Sequence, residues 1–172
     1  MTSRLKNILK NAGFVSIGAV ILACAIMLLS SQGQSQDASE RPHYAHSTLV
    51  IAGQNGAQNN FAVEVATSDA EQSYGLMFVK SLDDDQGMIF PYNPPRVVAF
   101  WMKNTLISLD MLFVRPDRTI GRIVSMAKPQ DLTPIPSQEP VIAVIEINGG
   151  LAKKKNINVG DKVESPILLM PR

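Results

Sequence analysis

Past residue 47 the apolar residues of this chain come in short runs of strand length, separated by turn signals. That spacing limits the fold more than any other feature. Thr48–Ala52 is a short β-branched run, and Gly53-Gln54-Asn55-Gly56 is a turn signal. Phe61-Ala62-Val63-Glu64-Val65 alternates with period two, as a half-buried strand does. The two runs read as a hairpin. Val97–Met102 is apolar throughout and is expected to be a strand covered on both faces. Ile107, Leu109, Met111 and Phe113 form one face of the next strand, with Ser108 and Asp110 on the other. Arg115-Pro116-Asp117-Arg118 is a β-turn with proline second, leading into Thr119–Met126. Val141–Ile147 is interrupted only by Glu146, and Gly160-Asp161 turns into a last strand expected to reach about Met170. Many short strands with turns between them predict a mainly β domain.

Helix signals are few. Ser68-Asp69-Ala70-Glu71 is a capping box, which predicts a helix from Asp69 to about Tyr74, with Gly75 in the left-handed position after it. Leu76–Val79 is expected to turn inward. Asn148 is expected to cap a second short helix, roughly Gly150–Lys155. Pro91–Pro95 and Lys128–Pro140 read as loops, the second a long ordered loop or lid with four prolines.

The N-terminal segment is different in kind. Arg4, Lys6 and Lys10 precede Ala12–Leu29, an 18-residue apolar run. As a helix it would reach about 27 Å, close to the apolar thickness of a bilayer. Residues 1–30 therefore read as a signal peptide or membrane anchor, 31–47 as a flexible linker, and 48–172 as the domain. The length of the run suits an anchor; Ser31 and Gly33 suit cleavage. Cys24 after Ile21-Leu22-Ala23 loosely matches a lipoprotein site, but Ala25–Leu29 stay apolar where such a protein turns polar. In each case the domain is expected outside the cytoplasm, in the periplasm or on the outer face of the membrane held by residues 12–29.

Composition narrows the chemistry. The net charge is +1 and no basic stripe is interleaved with aromatics, so nucleic acid is not an expected partner. The only cysteine is Cys24, and the only histidines, His43 and His46, precede the domain. The domain thus lacks a thiol nucleophile, an imidazole base, a disulfide and a Cys/His zinc site, and acid–base work falls to Asp, Glu, Lys or Tyr. No cofactor or metal is expected. His43 and His46 read as exposed linker residues rather than a weak metal pair. Asp83-Asp84-Asp85 reads as a solvated turn rather than a Ca²⁺ loop. The scattered Met77, Met88, Met102, Met111 and Met126 read as core filling rather than Cu(I) ligands.

One stretch invites function. Ala99–Met111 holds the single Trp and sets Lys103, Asn104, Thr105 and Asp110 among apolar residues. Burying such groups unpaired costs roughly 2–7 kcal/mol each, so they need partners or a ligand. Trp101, Met102, Lys103, Asn104, Thr105 and Asp110 are the candidate binding residues. The bland alternatives are core packing for Trp101 and Met102 and a turn for Asn104 and Thr105. If catalysis occurs, Asp110, Glu146 and Lys103 are its candidates: were they to converge, Lys103 would neutralise one carboxylate and the other would have a raised pKa. The alternative is a structural ion pair.

The order Gly75-Leu76-Met77-Phe78, Gly87-Met88-Ile89-Phe90, Phe100-Trp101-Met102-Lys103-Asn104-Thr105, Leu109-Asp110, Glu146 and Gly160-Asp161 resembles the domain of unknown function 192 family. The likeness covers about Thr48 to Arg172. The family commonly has Arg where Lys80 stands and Pro where Ser108 stands. The resemblance implies a small β-sandwich or jelly-roll-like domain with one or two short helices, often exported, and no established activity. The expected function is a non-enzymatic module that binds a polar envelope ligand, such as a glycan or peptide terminus, or a protein partner. The alternatives are a hydrolase or lyase using Asp110 and Glu146, roughly 5–10 Å apart across a cleft, and an assembly or scaffold protein without a small-molecule site.

Overall fold

The computed structural model describes residues 41–169; the apolar run 12–29, Cys24 and the first part of the expected linker lie outside them. Nine strands form: β1 Ala45–Ala52, β2 Gln58–Val65, β3 Gln86–Arg96, β4 Ala99–Phe100, β5 Leu109–Val114, β6 Ile120–Ala127, β7 Ile135–Pro136, β8 Val141–Asn148 and β9 Lys162–Glu164. Two short helices, α1 Asp69–Tyr74 and α2 Leu151–Lys154, and a 3-10 turn at Pro166–Leu168 complete the elements of the described residues. No helix among the described residues is long and apolar enough to cross a membrane.

Seven strands make one sheet in the order β6-β5-β8-β3-β2-β1-β9. It curls until its ends touch: Thr119, beside β6, bridges Lys162 of β9, and the amide of Ile120 donates to Asp161 O. The β1–β2 hairpin is as expected, with Ala52 opposite Gln58. β2 then pairs with β3 in parallel, which requires a crossover, and the capped helix α1 lies in it. Ser68 Oγ accepts from Glu71 N and the Glu71 carboxylate accepts from Ser68 N, so both halves of the box form. Gly75 ends the helix at φ 51°. Gly87 lets β3 and β8 approach: a Cβ there would stand 2.7 Å from Glu146 O.

Strand alternation sorts the core into two layers. Leu49, Ile51, Val63, Ile89, Leu112 and Ile145 face the inside of the curl. Met88, Phe90, Tyr92, Met111, Phe113 and Val144 face outward, under the β4–β7 ribbon and the segment that follows α1. The mainly β domain is what the strand spacing predicted, and its two short helices lie where helix signals were read, at Asp69–Tyr74 and within 150–155.

Several boundaries differ. The domain takes in residues before Thr48: Arg41 pairs with Glu64 and Tyr44 is buried with its hydroxyl donating to Gly75 O, so 41–47 is not linker. Pro91–Pro95 is not a loop; β3 continues through it on the outer side, with a register break against β8 where the prolines offer no N–H. Val97–Met102 is not a buried strand. Only Ala99 and Phe100 pair, with β7, and Val97 and Trp101 are exposed. Phe78 turns outward, because φ 62° and the hydrogen bond its backbone N–H donates to Asn104 O swing it off the core. The final strand stops at Glu164, since Pro166 cannot continue a ladder. His43 and His46 are exposed, as are Asp83–Asp85.

Candidate functional site

Outside the curled sheet a cleft of about 470 Å³ opens between the end of α1, the second half of β3 and the β4–β7 ribbon. Glu146 is its floor. This residue sits at the middle of β8, the strand between β3 and β5, with Met88 and Met111 beside it in register. Tyr74, Leu76, Phe90, Tyr92 and Phe100 wall the cleft; Arg96, Trp101 and Lys103 line it too, all three exposed, at the rim.

Glu146 is 5% exposed, and no hydrogen bond among the described residues reaches its carboxyl. Desolvation by burial raises its pKa from 4.5 to about 8, with no charged neighbour acting in either direction. Near neutral pH it is mostly protonated and offers one O–H donor and one acceptor oxygen to whatever enters. Burial also raises the Tyr92 hydroxyl, which Arg96 pulls back and Glu146 pushes further. The Arg96 guanidinium lies 4.6 Å from the Tyr92 ring centre and donates to Gln72 Oε1 at 3.2 Å. Lys103 makes no ion pair among the described residues; its Nζ lies 5.4 Å from the Trp101 ring centre.

Asp110 lies elsewhere. It is one residue before Met111 on β5, so its side chain enters the opposite face from Glu146. There Oδ1 accepts from Met126 N and Gly150 N, and Oδ2 from Ala152 N, each at 2.8 Å. Two of these bonds cap α2, whose preceding residue Gly150 (φ 81°) has no side chain to do it. The third satisfies Met126 at a bulge where β6 carries one extra residue against β5. The expected cap, Asn148, instead donates its amide to Leu82 O. Lys103, Asp110 and Glu146 therefore do not converge, and the two carboxylates do not face one another across a cleft. The hydrolase geometry that needs them paired is absent.

The remaining candidates divide. Trp101 is half exposed at the rim. Met102 is fully buried, with its amide on Asp131 O, and packs in the outer core rather than lining the cleft. Thr105 lines the cleft, while its hydroxyl donates to Lys103 O at 3.2 Å. Asn104 takes φ 53° as a turn residue and reaches Met77 Sδ at 3.7 Å, one step behind the lining. Tyr92 and Arg96 were hidden by the prolines around them. The signal that finds Tyr92 is the alternation Met88, Phe90, Tyr92, which carries the outer face of β3 past Pro91. Among the described residues no three of His, Cys, Asp and Glu gather as a metal site.

The family model of domain of unknown function 192, described as "Uncharacterized ACR", matches residues 50–165, more than half of the chain. No curated protein matches. Among solved structures, one from Sinorhizobium meliloti, provisionally described as a transcription regulator, is 35% identical with a TM-score of 0.71, covering 73% of this chain and 98% of that one. A protein of unknown function from Novosphingobium aromaticivorans is 43% identical with a TM-score of 0.67, covering 73% and 94%. The match over 50–165 and the identity of these two structures lead to one conclusion: the chain belongs to the domain of unknown function 192 family.

Proposed function

We propose that the domain is a non-enzymatic binding module that takes a small polar ligand in the cleft above Glu146. One observation carries the reading: a carboxyl almost wholly buried, without a hydrogen-bond partner among the described residues, at the floor of a cavity large enough for a guest. A group left this way costs stability, and such costs persist where binding uses them. The aromatic walls would hold the apolar body of the ligand, and Glu146 would fix its polar end. We place the module in the cell envelope, tethered or exported through residues 12–29. Nucleic acid is not proposed as its partner, despite the regulator description of the Sinorhizobium protein, because net charge +1 with no basic stripe gives no electrostatic footprint.

The sole tryptophan, Trp101, stands at the rim and reports on occupancy. Screening a library of small polar fragments by Trp101 fluorescence and thermal shift tests the reading. Hits should move the emission maximum and raise the melting temperature, and Glu146→Gln should weaken them at least tenfold. Hits that bind Glu146→Gln and wild type equally would overturn it.

A further inference from the structure

We propose that the cleft's ligand is a small zwitterion, its ammonium group seated against Glu146 and its anionic group meeting Lys103 at the rim. This deepens the binding reading above and rests on it. The cleft holds an acid at its floor and a base at its rim that do not use each other. Glu146 lies on the floor with no hydrogen-bond partner among the described residues, and Lys103 is turned out over the Trp101 ring. A ligand with both charges would complete both ends at once.

The lining favours an ammonium at the inner end. Five aromatic residues border the cavity, and Phe90 and Phe100 meet edge to face with ring centres 5.0 Å apart. Aromatic walls with one carboxylate suit an organic cation, because ring quadrupoles and the carboxylate both attract it in a desolvated site. An anion at the floor would meet a carboxyl group and no cation. The other ionisable groups of the lining are Asp69 and Tyr74 of α1 and Tyr92 and Arg96 of β3. Neither Arg96 nor Lys103 is in an ion pair among the described residues. Arg96 is tied by a hydrogen bond to Gln72 and by the Tyr92 ring, whereas Lys103 has only the Trp101 ring, which leaves Lys103 the more available of the two cations. No titratable side chain flanks Glu146 in register, since its neighbours there are Met88 and Met111.

The proposal has a proton signature. Glu146 must ionise to accept a cation, so a quaternary ammonium, which cannot titrate, should bind more tightly as pH rises. The gain should be about tenfold per unit below pH 8 and level off above it. A neutral or anionic guest that accepts a hydrogen bond from the protonated carboxyl would weaken instead.

The full-length chain, in a non-ionic detergent, is titrated by Trp101 fluorescence and calorimetry. The probes are phosphocholine, phosphoethanolamine and the series glycine, β-alanine and γ-aminobutyrate. Choline and butyrate serve as the two halves. Zwitterions should bind at least tenfold more tightly than either half. The best member of the amino-acid series measures the separation of the charges, and its rank against phosphocholine tells a free amino acid from a phosphoamine head group as the source. Glu146→Gln should abolish the pH dependence and lower affinity for every ammonium probe. Lys103→Ala should lower affinity for phosphocholine tenfold and leave choline unchanged.

Butyrate binding as well as γ-aminobutyrate, or affinity for phosphocholine falling as pH rises, would overturn the zwitterion. So would fragments that occupy the cleft while no zwitterion does, an outcome that leaves the binding module standing. If neither the fragments nor these probes perturb Trp101, both readings fall.

Discussion

Asp110 and Glu146 lie on neighbouring strands one register step apart, yet they live on opposite faces of one sheet and under opposite conditions. Asp110 is sealed in with three backbone amides pointed at it. Glu146 is nearly as deep and has none. The sealed face is finished: Asp110 closes a bulge and a helix end. The cleft face is unfinished, and the surplus sits at a cavity. Burial alone therefore does not mark a functional carboxylate; the count of its partners does.

The largest loss of stability is expected at Asp110. Asp110→Ala strips partners from three amides in a closed space and should cost about 3–5 kcal/mol by urea unfolding. Asp110→Asn, which keeps the shape but turns one acceptor into a donor, should cost somewhat less. A loss under about 1 kcal/mol in Asp110→Ala would mean those amides find other partners.

Glu146 should respond with the opposite sign. Its folded pKa is raised, so the folded state binds more protons than the unfolded chain between pH 4.5 and about 8, and stability falls as pH rises through that window. Glu146→Gln removes the penalty. Melting curves should show the variant more stable than wild type at pH 8 by on the order of 1–3 kcal/mol, with the gap closing toward pH 4.5. A variant less stable at pH 8 would reveal a partner for the carboxyl.

Glu71 sharpens the contrast from the surface. Backbone amides of Ser68 and Thr67 hold its pKa down to about 2, so its stabilisation is present above pH 4.5 and lost as pH falls toward 2. With the solvent exposure of this site taken into account, Glu71→Gln should cost only about 0.5–1 kcal/mol at pH 7. Lys103→Ala comes last. With no ion pair to lose among the described residues, it should leave the unfolding free energy within about 0.5 kcal/mol of wild type.

The strands and the capped helix were legible in the chain because alternation and capping are local. Glu146, a lone acid in an unbroken apolar strand, stood out as a candidate for the same reason. What stayed hidden was non-local. That Asp110 and Glu146 part company depends on which face β5 and β8 present once the sheet curls. Val97–Met102 is as apolar as any core strand, but its pairing partner is two residues long, so Trp101 ends at the rim and only Met102 is buried. Pro91–Pro95 hid Tyr92 and Arg96 because proline chemistry argues for a loop unless an outer strand edge is available to take it.

The ribbon over the cleft has a dynamic consequence. β4 and β7 meet at two residue pairs, supported by Ser137 N on Val98 O and Met102 N on Asp131 O. Phe100 ties the ribbon to the sheet by edge contacts with Phe90 and Phe113. Parting it breaks a handful of bonds and leaves the seven-stranded ladder whole. The amides of Ser137 and Met102 should therefore exchange with deuterated solvent well before those of β8, and their slowing would register a guest held beneath.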